Sequence, residues 1–275
     1  MTTALRPLSL GELLDRTFSL YRSHFGLFVL IFAIPHLVVL GFQLFQLAVT
    51  RPDIRFPNVF ASLLWSLGAM FLTLIMASTS QAASVIAVSE LHLNRPANVA
   101  DSFNRVKGHL PGVILFSMMM FFAFWAGILA LIVPGILLAI IWSLSIPAKV
   151  LENKGVFAAM ARSVDLTKGD WGRIFVVGLL VAVLSLGVRL LFQVPIIVAT
   201  AMSAKAGMRS AVLGWQIASL VAEFISQSLV GAISTIAFSL VYYDERVRKE
   251  AFDLQLMMMT LDVPAGPSSP AQVGA

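Results

Sequence analysis

The chain has no cysteine, which excludes disulfides, thiolate metal ligands and thiol nucleophiles. It is also poor in charge. Asp, Glu, Lys and Arg make up 12% of its 275 residues, about half of the roughly 25% with which a soluble domain covers its surface. A fold with so little charge leaves large apolar areas facing outward unless lipid covers them. The sequence also lacks a phosphate-cradling glycine loop, a Gly-x-Ser-x-Gly and a His-Glu-x-x-His, so these nucleotide, hydrolase and protease signatures are missing. His24, His92 and His109, with Glu90 and Asp170, come nearest to a metal cluster. No pair of these histidines has the i,i+4 spacing of helical ligands, so no metal and no cofactor is expected. The net charge of +5 does not point to nucleic acid, because the basic residues are scattered rather than gathered on one face.

What the chain does have is hydrophobic length. It is 59% hydrophobic, with a mean hydropathy of +0.90. Apolar runs cover about 25–49, 60–89, 111–133, 135–151, 173–201 and 211–243. A membrane span needs about 20 residues, with about 17 as a lower limit. The first run follows an amphipathic stretch and is too long for a secretory signal, so it reads as a span. Val133-Pro134-Gly135 reads as a tight turn between the third and fourth runs. The expected fold is therefore all-α: a polytopic membrane bundle of six transmembrane helices arranged as three hairpins. With the N-terminus inside, fourteen Lys and Arg fall on the inner side and four on the outer. That bias places both termini in the cytosol.

A five-residue pattern recurs ahead of each hairpin. Its copies are Arg22-Ser23-His24-Phe25-Gly26, Lys107-Gly108-His109-Leu110-Pro111 and Lys168-Gly169-Asp170-Trp171-Gly172. Each copy follows an amphipathic stretch. The first stretch opens with a capping box, Ser9 to Glu12, and carries Leu10, Leu14, Phe18, Tyr21 and Phe25 at helical spacing. The second carries Val99, Phe103, Val106 and Leu110. The third carries Val156, Phe157, Met160 and Val164. Such helices lie in the headgroup plane and favour anionic lipid. They serve either to orient the hairpins or to recognise lipid. The headgroup candidates are Arg16, Arg22, His24, Lys107, His109, Arg162, Lys168, Arg246, Arg248 and Lys249. The organisation expected is one membrane domain over 1–262, with hairpin units at 9–92, 96–151 and 153–243. An interfacial helix follows at 244–260, supported by the i,i+4 pairs Asp244–Arg248 and Glu245–Lys249, with Phe252, Leu256 and Met259 laying it on the surface. A disordered tail covers 263–275.

The sharpest internal signal is a polar stripe. The fifth run carries Ser185, Arg189 and Gln193, four residues apart. The sixth carries Ser219, Glu223, Gln227, Gly231, Thr235 and Ser239, also four apart. Steps of four keep side chains on one slowly winding helix face. In an antiparallel pair, facing residues have a constant sum of numbers. Arg189 with Glu223, Ser185 with Gln227 and Gln193 with Ser219 all share the sum 412, so the stripes are expected to meet. An intramembrane Arg costs about 2.5 kcal/mol or more on insertion scales. The stripe is therefore either packing glue or the lining of a ligand cavity, in which Arg189 takes phosphate or carboxylate through its fork. In the second run Ala69, Thr73, Ala77, Ser80, Ser84 and Ala87 form a small-residue packing face, with Gln81 nearby. His36 in the first run is either hydrogen-bonded locally or part of a proton relay.

Leu5-Arg6-Pro7-Leu8-Ser9-Leu10-Gly11-Glu12-Leu13-Leu14-Asp15-Arg16, with Tyr21-Arg22 and Phe25-Gly26, resembles the start of bacterial membrane proteins of the glycerophosphoryl diester phosphodiesterase membrane-domain group. Val150 to Gly155, Ala161-Arg162-Ser163, Leu166 to Gly169, and Tyr242 to Glu250 resemble it too. The resemblance covers residues 5 to about 259 and implies a bacterial cytoplasmic membrane protein. The family's soluble enzyme domain uses a His-Arg pair and metal-binding carboxylates on a barrel. This chain has no such pair and no room for a barrel, so no catalytic residue carries over and a non-enzymatic protein is expected. Its partners would be membrane lipids or a protein. The competing expectation is a transporter or channel using Arg189 and Glu223, against which stand three hairpin units of one orientation rather than inverted repeats.

Overall fold

The computed structural model describes residues 8–49, 59–130 and 132–250. They form ten helices and no strand. These are α1 (Leu10–Ser23), α2 (Phe25–Val49), α3 (Val59–His92), α4 (Val99–Val106), α5 (Leu110–Ala130), α6 (Ile132–Ile141), α7 (Ser145–Leu151), α8 (Val156–Thr167), α9 (Trp171–Lys205) and α10 (Arg209–Glu250). Six stretches are long and apolar enough to cross a membrane: Phe25–Val49, Leu63–His92, Leu110–Gly127, Val133–Leu151, Trp171–Lys205 and Arg209–Glu250. The described residues are thus all-helical, with six candidate spans among them. Arg6, Arg51, Arg55, Phe252, Leu256, Met259 and the tail from 263 lie outside the described residues.

The three pentapeptides are the corners between α1 and α2, α4 and α5, and α8 and α9. The capping box that starts α1 is formed: the Ser9 hydroxyl accepts from the Glu12 N–H, and Glu12 accepts from the Ser9 N–H at 2.9 Å. Only the third corner uses glycine's conformational freedom, with Gly169 at φ +94°, where a Cβ would be strained.

α10 is the axis of the bundle. From Ser226 to Glu245 it is buried or half-buried at every position, and α9, α2, α3, α1, α8 and α7 all pack on it. Its small residues allow this approach. At Gly231, an added Cβ would stand 2.4 Å from a ring carbon of Phe32 on α2. α9 is the opposite case. It leaves Leu186, Leu190, Leu191, Ile197 and Val198 exposed, an apolar flank that water would not tolerate.

The structure departs from the sequence reading at several places. The fourth apolar run is not one helix, because a turn at 142–144 separates α6 from α7. Pro147 has no N–H to give back to Ser143, so the ladder cannot run through. The break is filled from α8: the Ser163 hydroxyl accepts from the Leu144 N–H at 3.2 Å and donates to the Ile141 carbonyl at 2.7 Å. Val133-Pro134-Gly135 is not the turn before that run but the first turn of α6, where a missing N–H costs nothing. Gly135 instead lies against Gly127 of α5, with 2.8 Å between its Cα and a Cβ placed on Gly127.

Two of the amphipathic helices show which face they turn to the protein. In α8, Ala159, Ser163, Leu166 and Thr167 are buried, while Phe157 and Val164 point outward. In α1 the buried line is Leu13, Thr17 and Tyr21. The Leu8 N–H donates to Asp244 at 2.5 Å, and the Tyr21 hydroxyl donates to the Leu229 carbonyl at 2.8 Å. Those partners lie fifteen residues apart on α10 (244 minus 229), about 22 Å of helix rise. α1 therefore slants along α10 instead of lying flat across its end. Residues 244–250, where the i,i+4 pairs support a helix continuing beyond the sixth run, are the final turns of α10, with both pairs formed.

Candidate functional site

α9 and α10 run antiparallel, and their polar stripes meet. Arg189 Nη2 donates to Glu223 Oε1 at 3.0 Å. One turn further along, Ser219 Oγ donates to Gln193 Oε1 at 2.8 Å, and Gln193 Nε2 returns a bond to the Ser219 carbonyl at 3.1 Å. Ser185 and Gln227 face the same space without touching. Ser185 donates to the Val181 carbonyl at 2.7 Å, and Gln227 Nε2 donates to Glu223 Oε1 at 2.8 Å.

Between α2, α3, α9 and α10 lies a cavity of about 180 Å³. Its polar wall is His36, Gln81, Ser185, Arg189, Ser226 and Gln227. Residues far apart in sequence thus converge on one small space. His36 Nδ1 is 2.8 Å from the Phe32 carbonyl. A carbonyl only accepts, so Nδ1 carries a proton and donates to it. Ser226 is 4% exposed, and its hydroxyl has no partner. The Arg189 fork has five N–H donors, of which one is used among the described residues. Ser226 escaped the sequence reading because it stands one residue off the four-step stripe. The only signal for it was its place beside Gln227.

The basic residues expected at headgroups divide into two sets. Arg162 pairs with Glu152 at 3.0 Å and with Glu250. Arg246 pairs with Glu250 at 3.0 Å, and Arg248 with Asp244 at 2.8 Å. Lys249 donates to the Leu166 carbonyl at 2.6 Å. All four are engaged within the protein because α10 continues past Tyr243 and carries its charges in between α8 and α9. Arg22, Lys107 and Lys168 are exposed. Arg22 bonds the Phe18 carbonyl at 3.5 Å and Lys107 bonds Asn104 at 2.9 Å, while the Lys168 carbonyl accepts from Lys249 at 2.5 Å. His24 bonds Ser23 at 2.9 Å, and His109 bonds the Arg105 carbonyl at 3.2 Å. Arg16 is half-buried on α1.

This end of the bundle also holds a charged knot that the sequence reading missed. Arg173 of α9 bonds Asp244 and, at 3.0 Å, Glu245 of α10. The two carboxylates are 4% and 0% exposed. The numbers 173 and 244 sum to 417, close enough to 412 that the pairing rule already brings them near. Glu152, beyond the end of α7, accepts from the Tyr242 hydroxyl at 2.6 Å. Burial raises the pKa of this carboxyl, but hydrogen bonds from Lys154, Tyr242 and Arg162 outweigh it and hold the value down to about 2. Among the described residues, no three His, Asp or Glu side chains gather as a metal site. His92 stacks on Tyr243 with centroids 4.5 Å apart.

No family model, curated protein or solved structure matches the chain.

Proposed function

We propose that this chain is a multi-pass protein of the bacterial cytoplasmic membrane, not an enzyme, that holds the phosphate or carboxylate of a lipid or small solute in the cavity beside Arg189. In this reading the six spans form three hairpins with both termini in the cytosol. α1, α4 and α8 are interface elements on that side, with Arg22, Lys107 and Lys168 available to lipid phosphates. Kinship with the phosphodiesterase membrane-domain group belongs to the same proposal and rests on the quoted motifs. One observation carries it: a singly bonded Arg189 and an unpartnered Ser226 line the same intramembrane cavity. Packing glue alone would engage these groups with each other or with neighbours.

Native mass spectra of the purified protein and of Arg189→Leu, released from mild detergent, test the reading. A defined adduct on the wild type that is lost from the variant is expected. No adduct, with the variant merely less stable, would make the pair structural and move the search to the interface helices and a protein partner.

A transporter is the second reading. A polar cleft of about 390 Å³, lined by Gln43, Gln46, Gln216 and Ser219, favours it. Ser219 bonds Gln193, one turn from Arg189, so polar groups continue from the cleft toward the cavity. Flux in liposomes that is abolished by Arg189→Leu would support transport, and a retained adduct without flux would oppose it.

A further inference from the structure

The polar cavity has a larger neighbour. A space of about 470 Å³ lies between α3, α5, the α6–α7 break and α10. Its lining is mostly apolar, with Val85, Phe116, Met120, Phe121, Trp142 and Phe238. Ala77, Gln81 and Ser234 line both spaces. The partition is therefore two small side chains and one flexible one, and the Gln81 carboxamide has no bond to hold it in place among the described residues. The polar compartment, at about 180 Å³, has room for roughly six waters at about 30 Å³ each, the scale of a head group and no more. The two volumes together fall within the roughly 300–1,000 Å³ of small-molecule sites.

The one charged residue lining the polar compartment, Arg189, is balanced before any ligand arrives by Glu223, which stands at the edge of the space bonded to the lining residues Arg189 and Gln227. Arg189 and Glu223 neutralise each other, yet neither is saturated. Glu223 accepts from both Arg189 and Gln227 on Oε1, leaving Oε2 open, and Arg189 keeps four N–H groups. A net anion would leave an uncompensated charge in a poorly solvated site, which is costly. A head group bearing one phosphate and one ammonium adds no net charge and complements both open groups.

Building on the polar-cavity reading, we propose that the ligand is a zwitterionic amphiphile. Its phosphate sits on Arg189 and Ser226, its ammonium on Glu223, and its acyl chain lies in the adjoining apolar space. A free zwitterion such as phosphoethanolamine shares the head chemistry but lacks the chain.

The test uses full-length protein in mild detergent with three probes. These are a single-chain phosphoethanolamine amphiphile bearing a photoreactive diazirine at mid-chain, its net-anionic phosphoglycerol counterpart, and phosphoethanolamine alone. Retention is read by native mass spectrometry and crosslinks by peptide mapping. The expected result is preferential retention of the zwitterionic amphiphile, with crosslinks at Phe116, Met120, Phe121 or Trp142. Arg189→Gln should abolish retention. Ser226→Ala, which removes a hydroxyl that stabilises nothing in the empty protein, should weaken it by about three- to tenfold, the worth of one hydrogen bond. Preference for the anionic probe, equal retention of the free head, or crosslinks confined to the exposed face of α9 would overturn this inference. Each would leave the cavity reading standing provided Arg189→Gln still abolishes retention. Retention unaffected by either substitution would overturn both.

Discussion

Arg189 meets Glu223 through a single N–H, Nη2 to Oε1 at 3.0 Å, although a guanidinium and a carboxylate can pair through two parallel bonds. The pair is half open: the Arg189 side chain is 50% exposed and that of Glu223 33%. Its coupling should be modest, at about 1–2 kcal/mol, between the values for exposed and buried pairs. A double-mutant cycle with Arg189→Gln and Glu223→Gln, read by unfolding in detergent, measures it. A coupling well above that range would assign the pair to packing.

Arg173 bridges Asp244 and Glu245, and removing it leaves these buried carboxylates to Arg248 at 2.8 Å and Lys249 at 3.9 Å. Arg173→Leu should cost up to about 3–5 kcal/mol, the penalty for breaking a buried ion pair from one side, less what those two cations retain. Thermal unfolding of the variant should show a loss well beyond that of Arg22→Leu, whose side chain is exposed.

Ser163 completes the break between α6 and α7. Ser163→Ala strands the Leu144 N–H and leaves the Ile141 carbonyl only the 3.5 Å bond from the Thr167 hydroxyl, and should cost about 1–3 kcal/mol. Hydrogen exchange should speed up at Leu144 rather than throughout α8.

Glu152 gives the molecule an acid-sensitive contact. Its folded pKa of about 2 lies below the ordinary 4.5. The stabilisation is therefore fully present above pH 4.5 and is lost as pH falls toward 2. Melting temperature measured through that window should fall less steeply in Glu152→Gln than in the wild type.

Phe32 rests on Gly231 and stacks on His36, with ring centroids 6.0 Å apart. Gly231→Val should push the ring into the polar cavity. Ligand retention should fall sharply, while helix content measured by circular dichroism stays the same.

Much of this architecture is legible in the sequence. Apolar run length marks the candidate spans because lipid demands about 20 apolar residues of any helix. The constant sum of 412 places Arg189 beside Glu223 and Gln193 beside Ser219 because rise per residue is the same on both helices. What the numbers do not carry is contact between elements of unrelated register. Nothing in Ser163 announces that it will bridge two ends of a broken helix. Nothing in His36 or Gln81 says which helices they will face. Which face of an amphipathic helix packs on the protein is not legible for a related reason. Large apolar residues do not mark it: close packing on α7 and α10 selects the small ones, Ala159 and Ser163, and leaves Phe157 outward.

The place of α10 in the bundle has a consequence for the order of events during synthesis. α2, α3 and α9 leave the ribosome before α10, on which they pack, exists. Phe32, His36 and Arg189 therefore lack their α10 neighbours until residues 226–245 arrive. Assembly of this protein is closer to the closing of a ring than to the stacking of a column, and its last described helix is the one that closes it.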